Sequence, residues 1–167
     1  MPDYKGEKGF TLIEIIAVLI LIAIVSAVVL SRGMSTAEAD LKAKAEVLKN
    51  HIRFAQMKAM NADADKTYIN NCESSYGISC SGSSYFMFRN CDKNLTSILP
   101  GANNVSVSLD NMTLTPNTDV TFDRWGRPCT DLTGNTLAAA DITLTLSHPQ
   151  VAQSETIRIT KNTGYVP

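Results

Sequence analysis

The apolar stretch near the start of the chain constrains the fold more than any other feature. Residues 10–30 are interrupted by only three polar side chains, those of Thr11, Glu14 and Ser26, and contain neither proline nor glycine. A continuous helix of this length would be about 31 Å long, at about 1.5 Å per residue, which matches the hydrocarbon core of a bilayer. The sequence therefore predicts a helix that can span a membrane.

Glu14 is the ionisable side chain within this stretch. On insertion scales a carboxylate inside a spanning segment costs about 2.5–3.5 kcal/mol, so we expect it to have a partner. No lysine or arginine lies between Lys8 and Arg32. Two interpretations stay open: Glu14 reaches the lipid headgroups from the second turn of the helix, or it pairs with a new α-amino group released by a cut between Gly9 and Phe10.

Residues 8–14 carry a short motif, Lys-Gly-Phe-Thr-Leu-Ile-Glu, at the start of the apolar run. This motif resembles the N-terminus of type IV pilins and type II secretion pseudopilins, with glycine, phenylalanine, glutamate and apolar run at the family's spacing. The resemblance implies that a prepilin peptidase cuts after Gly9 and methylates the new N-terminal Phe10. It also implies that Glu14, the fifth residue of the mature chain, pairs with the amine of Phe10 on a neighbouring subunit during assembly.

The position of the cut decides whether the apolar helix is retained. A secretory signal peptide has a shorter apolar stretch with its cleavage site after it. Here the site lies before the stretch, so we expect the anchor to remain in the mature protein. Lys5 and Lys8 are opposed by Asp3 and Glu7, so charge alone orients the helix only weakly.

The resemblance gives the location and the partners. It implies a single-pass protein of the bacterial inner membrane, with a cytoplasmic leader and a periplasmic domain, that later enters a pilus or pseudopilus filament. Its implied partners are other pilin or pseudopilin subunits, prepilin peptidase and the inner-membrane assembly platform. The sequence does not distinguish a pilus from a secretion system.

A helical stripe of apolar residues continues beyond the membrane-length run. His51 and Arg53 flank this stripe and are interpreted as part of a solvated helix face. We expect a leader at residues 1–9, the transmembrane and assembly half of a helix at 10–31, and its amphipathic half at 32–62. The stripe recurs at spacings of three or four residues, and its members are Leu41, Ala45, Leu48, Ile52, Ala55 and Ala59.

The remaining residues, 63–167, change to a two-residue period. Short runs alternate between apolar and polar residues and are separated by Gly, Asn, Asp, Pro and Ser. Alternation gives a sheet one buried and one hydrated face, which favours antiparallel pairing. The predicted fold class is α+β, with a long N-terminal helix packed on a C-terminal antiparallel β domain. The predicted strands are 68–69, 85–88, 105–109, 112–115, 120–122, 142–146 and 156–160.

The C-terminal third carries a second, looser resemblance. Residues 120–128 and 156–166 are similar to the end of GspH/FimT-like minor pilins and pseudopilins. The resemblance implies two small β-sheets and a subunit of low copy number. Trp125 lies beside a turn here, and we interpret it as a lid on the core rather than as a platform for a ligand.

Four cysteines, Cys72, Cys80, Cys91 and Cys129, fall in the predicted β domain. An even number in an oxidising compartment indicates two disulfides, each typically worth about 2–4 kcal/mol in a small domain. Three pairings are possible and the sequence does not choose among them. Cys72–Cys80 with Cys91–Cys129 is weakly preferred, because it would close one local loop and tie down one distant strand. The gaps between cysteines do not match a metal site, so no metal is expected.

Recognised catalytic arrangements are absent from the sequence. Neither His51 nor His148 neighbours a cysteine, serine or carboxylate in such a pattern, and there is no phosphate-binding loop. We therefore expect a structural filament subunit without enzymatic activity and without a cofactor.

Two alternative functions stay open. A FimT-like pilin that captures DNA needs a basic surface, for which the candidates are Arg124, Arg127, Arg158 and Lys161. The net charge of the chain is −1 and acidic residues accompany these candidates, so nucleic acid is disfavoured as a partner. The second alternative is an adhesin subunit at a filament tip, which the polar, threonine-rich loops allow.

Overall fold

The computed structural model describes residues 11–62 and 75–167, with side-chain positions for all of these except residues 29–35. The chain divides into two compact units, residues 1–36 and residues 37–167. Its described elements are α1 (Leu12–Met60), β1 (Tyr76–Ser81), β2 (Ser84–Arg89), β3 (Asp92–Ser97), β4 (Ser106–Ser108), β5 (Thr113–Thr115), β6 (Asp119–Phe122), β7 (Pro128–Cys129), β8 (Ile142–Ser147) and β9 (Ser154–Ile159).

The described strands form two antiparallel sheets. The larger sheet has the order β3-β2-β1-β6-β7, with β4 also paired to β2, and the smaller sheet has the order β5-β8-β9. An isolated bridge between Gly82 and Leu114 links the end of β1 to β5. The predicted α+β fold class is confirmed, and the number of sheets agrees with the second resemblance.

The core of the second unit lies between the sheets and the part of α1 that belongs to this unit. All six residues of the predicted helical stripe are buried, and Ile52 has no exposed surface. Three of the six are alanines, which let the helix approach the strands closely. The helix packs against strand residues that include Ile78, Met87, Val120, Phe122, Leu144, Leu146, Ile157 and Ile159.

The predicted strands agree only partly with the observed ones. The runs predicted around residues 85, 113, 120, 143 and 157 correspond to β2, β5, β6, β8 and β9, and β4 is shorter than predicted. The sequence patterns missed β1, β3 and the short β7. The strand predicted at residues 68–69 lies outside the described residues.

Candidate functional site

The first described turn of α1 is formed by the carbonyl of Thr11. This oxygen accepts hydrogen bonds from the backbone N–H of Glu14 at 3.0 Å and of Ile15 at 3.4 Å. Residues 10–30 contain neither glycine nor proline, which favours formation of a helix in this segment.

The first unit presents apolar side chains on every side of the helix. Leu12 is 77% exposed, and every residue from 11 to 28 is exposed. Five consecutive residues, 18–22, are large and apolar, and at about 100° per residue they cover the whole circumference of a helix. A helix that is apolar all round is one that is buried by something. Within residues 11–62 and 75–167, no helix combines the length and the hydropathy needed to cross a membrane.

Glu14 is exposed within this apolar surface. None of the ion pairs between described residues includes it. Gly9 and Phe10, the predicted sites of cleavage and methylation, lie outside the described residues, so the pairing of Glu14 with the amine of Phe10 stays a prediction.

His51 corrects one of the sequence interpretations. Its side chain was assigned to a solvated helix face, yet it is only 5% exposed. Its Nε2 donates to the carbonyl of Pro100 at 2.9 Å, and its Nδ1 lies 2.7 Å from the hydroxyl of Tyr85. Burial raises the pKa of Tyr85 well above its usual range, so this hydroxyl keeps its proton. His51 lies one turn from Leu48 and Ala55, and this places it on the packed side of the helix.

Arg53 also has a structural role that the sequence did not reveal. Its guanidinium donates to the carbonyl of Val166 from Nη2 at 2.9 Å and from Nε at 3.3 Å. Its Nη1 donates to Asn50 at 2.9 Å. One turn further along, Gln56 donates to the carbonyls of Gly126 at 2.8 Å and Thr163 at 3.0 Å. This helix face therefore ties down both a turn and the C-terminal tail.

The turn after β6 is organised by Asp123. One carboxylate oxygen accepts from the backbone N–H of Trp125 at 3.0 Å and of Arg127 at 2.7 Å. The other accepts from Nε and Nη2 of Arg127, both at 2.8 Å. Gly126 completes the turn with a φ of +78°, a conformation that glycine adopts without strain. The signal for this turn was present in the sequence as an Asp followed three residues later by Gly.

Trp125 projects outward from this turn and is 65% exposed. The interpretation of Trp125 as a lid on the core is therefore wrong. Asp123 and Gly126 bend the backbone so that positions 124 and 125 form the outer corner, and their side chains have no core to enter. The guanidinium carbon of Arg124 lies 5.2 Å from the centre of the Trp125 ring. A cavity of about 380 Å³ adjoins this corner.

The four basic residues considered for DNA binding do not form a free basic surface. Arg127 is paired with Asp123, and Arg158 donates to Asp141. Lys161 donates through its backbone N–H to Asp141 at 2.9 Å and through Nζ to the carbonyl of Ala139 at 3.3 Å. Among these candidates, Arg124 is the one that stacks on an aromatic ring instead of bonding to an oxygen.

The cysteines are arranged differently from the preferred pairing. Cys80 and Cys129 are free and buried, so neither Cys72–Cys80 nor Cys91–Cys129 is formed. Cys91 is disulfide-bonded, and Cys72 lies outside the described residues.

Strand register explains why the two free cysteines do not bond to each other. Gly77 and Cys129 both pair with Thr121, so they lie two strand spacings apart, about 10 Å. Cys80 is a further three residues, about 10 Å, along β1. A disulfide needs Cα atoms within about 7 Å of each other.

Groups of acidic, histidine or cysteine side chains suited to a metal ion are also absent from the described part of the chain. Comparison with known protein families gives a match near the N-terminus. A family model described as the prokaryotic N-terminal methylation motif matches residues 4–30. No curated protein and no solved structure matches the chain.

The motif supports the interpretation of this chain as a type IV pilin-like subunit that is processed at its N-terminus. It spans Gly9, Phe10 and Glu14, the three residues to which the sequence assigned processing and assembly. It says nothing about the β domain, because it ends at residue 30.

Proposed function

We propose that this chain is a low-copy subunit of a type IV pilus or of a type II secretion-like filament, assembled through its N-terminal helix. The observation that carries this proposal is the apolar surface on all sides of residues 12–28, in the same segment that matches the methylation motif. A helix that is stored in lipid and then packed into a bundle requires such a surface.

Exposing this helix to water would carry too large a cost in free energy. Burying one large aliphatic side chain is worth about 1.5–3 kcal/mol, and twelve large apolar side chains between residues 12 and 28 are exposed. A typical domain has a net stability of only about 5–15 kcal/mol. The helix must therefore pass directly from one apolar environment to another, from the inner membrane to the core of a filament built from similar helices.

Processing would prepare the subunit for this transfer. A prepilin peptidase would cut after Gly9 and methylate Phe10, leaving a positive amine at the end of an apolar helix. The Glu14 carboxylate of a neighbouring subunit would then pair with this amine. A buried charge without a partner costs far more than a paired one, so this contact would fix the axial register of successive subunits.

The proposal assigns a role to each segment of the chain. Residues 1–9 would be the leader, 10–31 the transmembrane and assembly half of the helix, 32–62 its amphipathic half, and 63–167 the periplasmic domain. The partners would be other pilin or pseudopilin subunits, the peptidase and the inner-membrane assembly platform. The two-sheet architecture supports a minor, GspH/FimT-like subunit.

DNA capture is the less favoured function. It needs several free cations in line along the protein surface, whereas Arg127 and Arg158 are each paired with a carboxylate. A tip adhesin is compatible with the exposed corner at Trp125, and its ligand is considered below.

N-terminal sequencing and the intact mass of the mature protein test the proposal directly. The expected product begins at Phe10 and carries one extra methyl group on its amine. A product that still begins at Met1 in both membrane and filament fractions would contradict the proposal and would leave a tethered domain as the remaining interpretation.

A further inference from the structure

The corner at Trp125 has features of a binding site for a small polar ligand. Trp125 is the single tryptophan of the chain, and it is largely exposed beside a cavity of about 380 Å³. Small-molecule sites are concave, have volumes of about 300–1,000 Å³, and combine an aromatic surface with a few polar groups. Phe122, Thr133 and Asn135 contribute to the lining of this cavity.

The turn holds the backbone of Trp125 in place before any ligand arrives. Asp123 accepts hydrogen bonds from the backbone of Trp125 and of Arg127, and Gln56 of α1 donates to the carbonyl of Gly126. A methyl group at Gly126 would lie 2.9 Å from the sulfur of Met60, which shows how closely the turn sits on the helix. Preorganisation of this kind lowers the entropy cost of binding.

The rim of the cavity offers polar groups that the described residues do not use up. The guanidinium of Arg127 bonds to Asp123 through Nε and Nη2, which leaves Nη1 as a donor. The hydroxyl of Thr133 donates to Asp131 and keeps its capacity to accept. The side-chain amide of Asn135, which can both donate and accept, takes part in none of the hydrogen bonds between described side chains.

The charges along the rim decide between ligand classes. The positive charge of Arg127 is balanced by Asp123, so Arg124 is the remaining cation at the corner. Binding to a nucleic acid draws most of its free energy from several phosphate contacts, and one arginine cannot supply them. A neutral ligand needs no such charges.

We propose that this cavity binds a neutral saccharide, with one sugar ring stacked on the indole of Trp125. The C–H face of the ring would lie against the indole, and its hydroxyl groups would bond to the amide of Asn135 and to Nη1 of Arg127. Arg124 lies over one face of the indole, and the proposal assigns the sugar ring to the opposite face. This inference does not depend on filament assembly, because all the residues involved belong to the second unit.

Fluorescence provides the test, because Trp125 is the single emitter of its kind. The full chain, held in a detergent without a sugar headgroup, is titrated separately with an N-acetylglucosamine tetramer, a galacturonate tetramer and a single-stranded oligothymidylate. We expect a saturable fluorescence change with the neutral tetramer at millimolar concentrations or below, which corresponds to at least about 4 kcal/mol. The response should persist when the salt concentration is raised.

Two variants locate the binding. Asn135→Ala keeps the fluorophore and should weaken binding about tenfold, the consequence of losing about 1.4 kcal/mol. Trp125→Ala should abolish the binding heat measured by calorimetry, with circular dichroism to verify the fold. Ile98→Ala removes a similarly exposed apolar side chain elsewhere and should bind like the unchanged protein.

Three results would overturn the assignment. The first is the absence of a saturable response to the neutral tetramer up to about 10 mM, because a Kd above that value lies outside the range of a weak specific ligand. The second is binding of the neutral tetramer that Trp125→Ala leaves intact. The third is a response confined to the galacturonate or to the oligothymidylate. The last result would identify Arg124 as an anion site instead.

Discussion

The guanidinium of Arg53 donates two hydrogen bonds to the carbonyl of Val166, 113 residues further along the chain. Val166 is buried and Arg53 is on α1, so this contact holds the C-terminal tail against the helix. Gly164 supports the same arrangement, because a methyl group there would lie only 2.5 Å from the amide nitrogen of Gln56.

Replacement of Arg53 should loosen this tail. Hydrogen bonds to charged groups contribute about 1.5–3 kcal/mol, and partial exposure lowers that value, so we expect Arg53→Ala to reduce the free energy of unfolding by about 1 kcal/mol. Urea unfolding measures this free energy, and hydrogen exchange should become faster at Gly164, whose N–H donates to the carbonyl of Thr160 at 2.7 Å within the tail. Lys58→Ala, on the last turn of the same helix, is the control; equal exchange rates in both variants would contradict the role of Arg53.

The free thiols should be unreactive in the folded protein. Burial raises the pKa of Cys80 to about 12, and the charge of Asp119 contributes to this shift. Burial is also the largest cause that raises the pKa of Cys129 to about 11, and the charges of Asp123 and Asp131 add to it. At pH 8 both are protonated, and the thiolate is the reactive form. We expect iodoacetamide to modify neither thiol in the folded chain and both in urea. Rapid labelling of Cys80 in the folded protein would contradict the burial of β1.

The same cysteines illustrate what sequence reasoning could and could not find. Their number indicated disulfides, but pairing depends on which strands are neighbours, and β1 and β7 were not recognised. β1 contains Gly77, which a strand pattern disfavours. Its glycine is required by packing, because a Cβ would lie 2.6 Å from the ring of Phe88. β3 contains a single apolar residue, Leu95, so no alternation marks it.

Cys91 is expected to pair with Cys72, the cysteine that remains once the two free thiols are set aside. Digestion of the non-reduced protein, followed by mass spectrometry, should yield one linked peptide containing both residues. Reduction should release it, and linked peptides containing Cys80 or Cys129 should be absent. A linked Cys91–Cys129 peptide from protein purified without exchange of thiols would contradict this pairing.

The packed face of α1 should dominate the stability of the second unit. Ile52 is fully buried among strand residues, and truncating such a side chain costs about 2–5 kcal/mol through lost burial and the cavity left behind. We expect Ile52→Ala to lower the free energy of unfolding by that amount in urea. Met57→Ala, where the side chain is 45% exposed, should change it by less than about 0.5 kcal/mol. Equal losses would mean that the helix does not pack on this face.

The helical stripe was found from the sequence because a period of 3.6 residues can be recognised without knowing which sheet the helix packs on. The roles of His51 and Arg53 were not found, because they depend on residues that are distant in the sequence. Their partners, Tyr85, Pro100 and Val166, are far away in sequence, and nothing local marks them. The first segment is readable for another reason, because its motif is a short linear sequence whose spacing does not depend on the fold.

Assembly should depend on the charge of Glu14 and not on its bulk. Glu14→Ala and Glu14→Gln should both insert into the inner membrane, since each removes a charge that costs about 2.5–3.5 kcal/mol to insert. Both should incorporate poorly into filaments, because the amine of Phe10 on the neighbouring subunit would lose its partner. Comparing sheared filament and membrane fractions by immunoblot measures the distribution. Ser26→Ala is the control, because the Ser26 hydroxyl bonds within its own helix, to the carbonyl of Ile22 at 2.7 Å, and it should incorporate normally. Incorporation of Glu14→Gln at the level of the unchanged protein would show that the carboxylate has no part in subunit registration.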